Sequence, residues 1–218
     1  MNKNNLFTWL ACAAAASLTA LPALATDSAV AAGKTPQASD AAVSGAIAFL
    51  RAHDASVVAL LEGSGDSLST AAQSEVRAKI DEAFDYEELS RLSLRGHWEE
   101  LSASERAEFV SVFSAIISLK NFDSFVDYYR DSNIVYVSEQ IEEPRASVYA
   151  TVPLERGTVG ITYRLLRHDS SWRVYDLVID DVSTADSNRR QYSRQIKKHS
   201  FEELLKKLHR QLEKLKSR

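Results

Sequence analysis

The sequence predicts an α+β domain, with helices at both ends of the chain and an antiparallel sheet between them. Apolar residues recur at three- and four-residue spacing before about residue 130 and again after about residue 187, which is typical of amphipathic helices. Between these segments, four runs rich in β-branched and aromatic residues are separated by short turn sequences, which is typical of a meander.

The first 25 residues have the features of a secretory signal peptide. After one lysine, an alanine-rich apolar run ends in Ala23-Leu24-Ala25, an A-x-A cleavage site. Cys12 leaves open a lipoprotein signal, although Trp9 and the short apolar run before it argue against acylation there. We expect residues 1–25 to be removed, residues 26–40 to form a flexible mature N-terminus and residues 41–218 to form one domain.

The expected mature chain, residues 26–218, contains no cysteine. An exported protein without disulfides has to be held together by a hydrophobic core, and a chain of this length can form one. Because no second membrane-length apolar run follows, we expect a soluble protein of the periplasm.

Charge is unevenly distributed along the chain. Residues 26–188 contain 14 Lys and Arg against 27 Asp and Glu, whereas residues 189–218 contain 11 against 3. We do not expect nucleic acid as a partner, because the protein is predicted to be exported and no aromatic binding motif accompanies the basic residues. A solvated helix face and a docking face for lipid headgroups or a partner both remain open, with Lys206, Lys207 and Lys214 as the candidate docking residues.

Periodicity and capping residues place the helices. We expect helices over residues 41–61 and 70–83, a short one capped by Asp85, a long central one after the capping box Ser102–Glu105, one over residues 187–198, and a last one from the capping box Ser200–Glu203 to Leu215. The long central helix has a wide, aromatic-rich apolar face. Four strands are expected, over residues 132–141, 145–154, 157–167 and 172–182.

The fourth strand is apolar on both faces. Simple alternation places Val174 and Val178 on one face and Tyr175, Leu177 and Ile179 on the other. A strand of this kind needs a cover on both sides.

No constellation typical of catalysis or metal binding is evident, so we expect neither an enzyme nor a metal or cofactor site. The five histidines are scattered, and the one i,i+4 pair with a carboxylate, His199 with Glu203, is more typical of a surface contact. Asp180 and Asp181 are candidates for an acid/base pair or a cation site. Adjacent strand residues point to opposite faces, however, so a polar strand end is the simpler interpretation.

Four stretches of the chain, FDYEELSRLSLRGHWEELSASERAEFVSVFSAII, SSWRVYDLVIDDVS, NRRQYSRQI and SFEELLKKL, form a recognisable set. Together they resemble the toluene-tolerance family, which includes the periplasmic phospholipid-shuttle subunits of the Mla (maintenance of lipid asymmetry) pathway. The resemblance spans roughly residues 40–210. Asp181 departs from the family pattern, which often has glycine at that position.

The resemblance implies a phospholipid carrier without a cofactor, and we expect it to be monomeric. Family members hold acyl chains between helices and sheet, and exchange lipid with an inner-membrane ABC transporter complex and an outer-membrane lipoprotein complex, which maintains outer-membrane lipid asymmetry and solvent resistance.

Periodicity selects the residues that are expected to line such a pocket, although ordinary core packing explains the same positions equally well. These are Phe109, Val112, Phe113, Ile116, Val148, Ala150, Val152, Ile161, Tyr163 and Val174. Two other functions remain open, namely a scaffold or interaction domain with a filled core, and a carrier of another apolar molecule such as a hopanoid or a quinone.

Overall fold

The computed structural model describes residues 45–65, 67–131, 134–153 and 157–217. The predicted signal peptide and flexible N-terminus lie outside these ranges. Within them, helices precede and follow one antiparallel sheet, which confirms the α+β class.

The helices lie close to their predicted positions. They are α1 (Ala46–Gly63), α2 (Thr70–Asp81), α3 (Tyr86–Leu94), α4 (Ala103–Asp131), α5 (Thr184–Lys198) and α6 (Phe201–Lys216), with a 3₁₀ turn at Arg95–Glu100 between α3 and α4. The predicted capping box at the start of α4 is present, since Ser102 N donates to Glu105 Oε2 at 2.8 Å and Glu105 N donates to Ser102 Oγ at 3.3 Å.

Helix α4 is the central helix of the fold. By length and composition alone, Ala103–Arg130 could cross a membrane, but the core helix of a soluble protein passes the same test. Here α4 packs against α6, α3 and α1.

The sheet has the strand order β1-β2-β3-β4-β5, and every neighbouring pair is antiparallel. The strands are β1 (Val135–Glu142), β2 (Arg145–Pro153), β3 (Thr158–His168), β4 (Ser171–Ile179) and β5 (Val182–Ser183). The four long strands are those expected from the sequence, and β5 is an addition to them.

The fifth strand exists because the chain reverses at Asp180 and Asp181. Both residues have positive φ, 45° and 65°, as the two central residues of a type I′ hairpin turn require, and Val182 consequently pairs with Ile179. Asp181 has a left-handed conformation, which glycine adopts without steric cost. Because both aspartates form the turn, they do not continue the strand as the sequence suggested.

A bulge in β4 corrects the predicted assignment of its two faces. Leu165 of β3 pairs with Val174, but Arg164 pairs with Asp176, so Tyr175 is an extra residue without a partner on β3. The extra residue shifts the alternation by one position. Val174 therefore shares a face with Leu177 and Ile179, and the prediction that separated Val174 from those two residues is wrong.

Two layers of helices supply the covers that β4 needs. Helix α1 packs through Ala46 and Leu50 onto the buried face of β2, β3 and β4. A separate helical cluster, built from α3, the first half of α4, α5 and α6, surrounds Phe109 and Tyr192. Within it, α6 packs mainly against α4 and α5.

Candidate functional site

A cavity of 210 Å³ lies between the middle of α4, the β4–β5 edge of the sheet, and helices α5 and α6. Helix α4 lines it with Phe113, Ile116, Ile117, Lys120, Asn121 and Phe125, and the sheet edge lines it with Tyr175, Asp176, Leu177, Val182 and Ser183. Helix α5 contributes Ser187, Asn188, Gln191, Tyr192 and Gln195, and α6 contributes Leu204, Lys207, Leu208 and Gln211.

The inner wall of the cavity is apolar and aromatic. The ring of Phe113 stacks on Phe109 with centroids 5.3 Å apart, and both rings meet the edge of Tyr192, at 6.0 and 5.9 Å. Burial raises the pKa of the Tyr192 phenol, so this side chain is neutral at any physiological pH. Leu204 and Leu208 close the same wall from α6. A surface of this kind binds hydrocarbon without directional constraint.

One buried carboxylate, Asp176, holds the wall of the cavity in place. Its side chain is 2 % exposed. Oδ1 accepts from Ala185 N at 2.9 Å, and Oδ2 accepts from Ser183 Oγ at 2.7 Å and from Arg164 Nη1 at 3.1 Å. Burial raises the pKa of Asp176, and these three partners oppose the rise. Because every hydrogen bond fixes a neighbouring element, this acid anchors the site and is not available to a ligand.

The outer rim of the cavity is polar. It combines the ammonium groups of Lys120 and Lys207 with neutral side chains, namely Asn188, Gln191, Gln195 and Gln211. Lys120 and Lys207 are exposed, so the rim faces water while the wall behind it is apolar.

Of the ten residues predicted to line a pocket, the structure brings Phe113 and Ile116 to this cavity. Phe109 and Val112 lie one layer behind them in the same helical cluster. The sheet residues Val148, Ala150, Val152, Ile161, Tyr163 and Val174 do not border it.

These sheet residues pack on two other sides. Val148 and Val174 lie beneath α1, Val152 and Ile161 pack with Val159 and Ile179, and Tyr163 contacts both groups. Ala150 is fully buried. The sheet borders the cavity at the β4–β5 edge and not across the face of the sheet. That the predicted sheet residues contact a ligand stays a prediction.

The three predicted docking lysines lie in different surroundings on α6. Lys206 Nζ is paired with Glu202 at 2.8 Å and with Glu203 at 3.2 Å. Lys207 reaches the rim of the cavity, whereas Lys214 is exposed in the last turns of the helix.

The sequence-based selection missed Lys120 and Asn121 on α4 and the amides of α5 and α6. A signal for the α4 pair was present, since Lys120 and Asn121 occupy the i+7 and i+8 positions after Phe113 and interrupt an otherwise apolar stripe. The amides carry no comparable signal, because glutamine is common on solvated helix faces.

The described part of the chain contains no group of three or more His, Cys, Asp or Glu side chains that could hold a metal ion. The residues that line the cavity offer a ligand apolar contact, hydrogen bonds and the two rim lysines.

Comparison with protein families gives a match over residues 53–210 to the family described as MlaC protein. The chain belongs to the MlaC family. This membership confirms the resemblance drawn from the sequence.

Among solved structures, the fold is similar to that of a phospholipid-binding protein from Ralstonia solanacearum, determined in complex with a phospholipid. The two chains are 16 % identical, with a TM-score of 0.64, and the match covers 77 % of this chain and 97 % of the other. Comparison with curated proteins gives no match.

Proposed function

We propose that this MlaC protein is a periplasmic phospholipid carrier. It takes up lipid acyl chains in the cavity between α4, the β4–β5 edge, α5 and α6, and carries them between an outer-membrane lipoprotein complex and an inner-membrane ABC transporter complex. The cavity is the observation that carries the proposal, because its apolar wall and cationic rim match a molecule with long hydrocarbon chains and a phosphate group. Family membership and the fold shared with a phospholipid-binding protein support the same class of ligand.

The energetics of a diacyl lipid favour such a carrier. About 30 methylenes at about 0.8 kcal/mol each give on the order of 24 kcal/mol for exposing the chains to water. An apolar cavity returns most of this free energy, much as a bilayer does. Transfer between bilayer and protein is then close to balanced, and the partner that is docked can set its direction.

The size of the cavity indicates that its wall has to move. The 210 Å³ is the space open to the centre of a water-sized sphere, and since one water takes about 10–15 Å³ of such space, the cavity holds about 14–21 waters. A methylene is close in size to a water molecule, so a lipid with about 30 methylenes exceeds this room. We expect α6 to yield when lipid enters, because it packs mainly on α4 and α5 and belongs to the outer layer of the fold.

Export is part of the proposal. If residues 1–25 are a signal peptide, the chain isolated from the periplasm begins at Thr26, and its intact mass tests this directly. A periplasmic chain that retains Met1, or a chain found only in the cytoplasm, would contradict the proposed location.

The carrier function is tested by transfer between vesicles. Donor vesicles contain a fluorescent phospholipid at self-quenching density, and acceptor vesicles contain none. We expect the rate of dequenching to rise in proportion to the concentration of the purified mature chain. A rate equal to that of protein-free vesicles, with protein that is folded by circular dichroism, would refute the function.

A further inference from the structure

We propose that Lys120, Lys207 and Asn121 form a binding site at the rim of the cavity for the phosphodiester and the glycerol ester of the lipid. This assignment rests on the phospholipid-carrier function proposed above, and it adds the groups that recognise the polar part of the ligand.

The two lysines approach the mouth of the cavity from different helices, Lys120 from α4 and Lys207 from α6. Both side chains are exposed, and neither ammonium group has an ion pair or hydrogen bond with any residue of the described ranges. Their neighbour Lys206, by contrast, is held by Glu202 and Glu203. Two ammonium groups without partners, one from each of two helices that line the same cavity, can donate charge-assisted hydrogen bonds to the oxygens of a phosphate.

The charge of the lining residues favours the same ligand. Asp176 is the one acidic residue among them, and both of its oxygens are already bound by Ser183, Ala185 and Arg164. The Arg164 guanidinium, 3.1 Å from Oδ2, offsets the negative charge of Asp176, so the two lysines dominate the charge at the rim.

Asn121 is the second, independent observation. Its side chain lines the cavity and is 5 % exposed, and its carbonyl oxygen Oδ1 is buried without a hydrogen-bond partner. Buried polar atoms in native proteins nearly always have a partner, so this amide has hydrogen-bonding capacity that a ligand in the cavity can use.

The position of Asn121 fits the ester region of a phospholipid. It follows Lys120 by one residue, which places it about 1.5 Å along the axis of α4 and about 100° around it, so the ammonium faces water while the amide faces the cavity. A phospholipid has the same order, with its ester groups directly inside its phosphate. An ester carbonyl is an acceptor, so it pairs with the Nδ2–H of Asn121 and not with Oδ1. A half-turn of the side-chain amide exchanges the two atoms and places Nδ2 where Oδ1 lies buried without a partner.

The lysines are tested by displacement of a bound fluorescent phospholipid from the mature chain. The competitors are phosphatidylglycerol, a diacylglycerol with the same chains, and glycerol 3-phosphate. We expect the wild type to prefer phosphatidylglycerol over the diacylglycerol, and the K120Q/K207Q variant to bind phosphatidylglycerol about threefold to tenfold more weakly, as for the loss of two exposed ion pairs. The diacylglycerol should bind both proteins equally, and the difference should shrink in about 1 M salt.

The matched control is K197Q/K198Q, which removes two exposed charges from the end of α5, outside the lining of the cavity, and should leave the preference unchanged. If the wild type binds no fluorescent phospholipid, the carrier function itself fails. If it binds and K120Q/K207Q keeps the wild-type preference, the rim site is refuted while the carrier function stands. Tight binding of glycerol 3-phosphate alone would also refute it, because the site would then recognise a soluble phosphate.

Asn121 is tested separately with ester- and ether-linked phospholipids of equal chain length. We expect the N121L variant to lose about threefold to tenfold in affinity for the ester lipid relative to the ether lipid, which lacks the carbonyl, as for the loss of one hydrogen bond. Because Asn121 Oδ1 has no partner in the fold, the variant should be at least as stable as the wild type. An unchanged ester-to-ether ratio in a folded N121L protein would refute the role of Asn121.

Discussion

Ser183 donates a hydrogen bond from Oγ to Oδ2 of Asp176 at 2.7 Å, across the hairpin that joins β4 to β5. The same hydroxyl accepts from Asp186 N at 3.1 Å and thereby caps α5. Asp176 also accepts from Ala185 N at 2.9 Å. These two side chains therefore fix β5 and the start of α5 against β4, at the edge of the sheet that borders the cavity.

The first prediction concerns this anchor. We expect D176A to lower the free energy of unfolding by about 2–4 kcal/mol, because it leaves the buried Ser183 hydroxyl and Ala185 N–H without their acceptor. D176N retains one acceptor oxygen and should lose less than half as much. Urea unfolding followed by tryptophan fluorescence gives both values, and equal losses in the two variants would contradict the proposed role of the hydrogen bonds.

A second prediction concerns pH and the carboxylate of Asp54 on α1. Tyr136 of β1 donates to Asp54 Oδ2 at 2.5 Å, yet burial dominates and raises the pKa of Asp54 above its ordinary value of 3.8. The folded state thus binds this proton more tightly than the unfolded state. Its contribution to stability is complete below pH 3.8 and is lost as the pH rises through the folded-state pKa.

The D54N variant removes this titration. We expect the stability of D54N relative to the wild type to increase between about pH 4 and about pH 7, measured by urea unfolding at each pH. Groups remote from Asp54 titrate in both proteins and cancel in the difference. A relative stability that is constant or falls with pH would contradict the raised pKa of Asp54.

The third prediction tests the cavity with two tryptophans on one helix. Ile117 and Val110 are seven residues apart on α4, both half-buried and both packed against the same cluster, but Ile117 lines the cavity and Val110 does not. We expect I117W to reduce phospholipid occupancy severalfold and V110W to leave it unchanged. Overpacking costs typically about 1–3 kcal/mol in either case, so the thermal midpoints should be similar. Equal occupancy in both variants would place the ligand elsewhere.

The sheet face offers the contrasting pair of substitutions. Val152 and Ile161 are buried but do not border the cavity. We expect V152W and I161W to lower stability while any folded protein keeps its lipid. Loss of lipid in a folded V152W protein would show that the ligand extends across the sheet face, as the sequence alone suggested.

The fourth prediction concerns the basic surface of α6. A lysine near an anionic membrane contributes about 1 kcal/mol to binding, but Lys206 is already paired with two glutamates whereas Lys214 has no carboxylate partner within the described ranges. We therefore expect K214Q to weaken cosedimentation with phosphatidylglycerol vesicles about fivefold, and K206Q to have a smaller effect. The reverse order would show that local pairing does not decide which lysine docks.

Local signals made much of the fold predictable from the sequence. The capping residues Ser102, Asp85 and Ser200 each mark the start of a helix in the structure, and the alternation of Ala146 through Val152 identifies the buried face of β2. These features depend on neighbours in the chain. They can be recognised without knowledge of tertiary contacts.

Other features depend on contacts between distant segments. The extra residue Tyr175 follows from the register between β3 and β4, and the turn at Asp180 and Asp181 lacks the glycine that usually marks such a hairpin. The cavity lies at an edge of the sheet. Alternation of apolar residues along a strand identifies the faces of the sheet, so it does not show which residues reach the cavity. Lys120 and Asn121 were visible as an interruption of the α4 stripe, but only the packing of α5 and α6 shows what they face.

The carrier function is tested most directly by native mass spectrometry of the mature chain isolated from a bacterial periplasm, followed by solvent extraction of the bound material. We expect a population heavier than the protein by one phospholipid, with a spread of masses from mixed acyl lengths, and we expect I117W to lack it. A single peak at the bare protein mass, with no phospholipid taken up on reconstitution of the folded protein, would contradict the account.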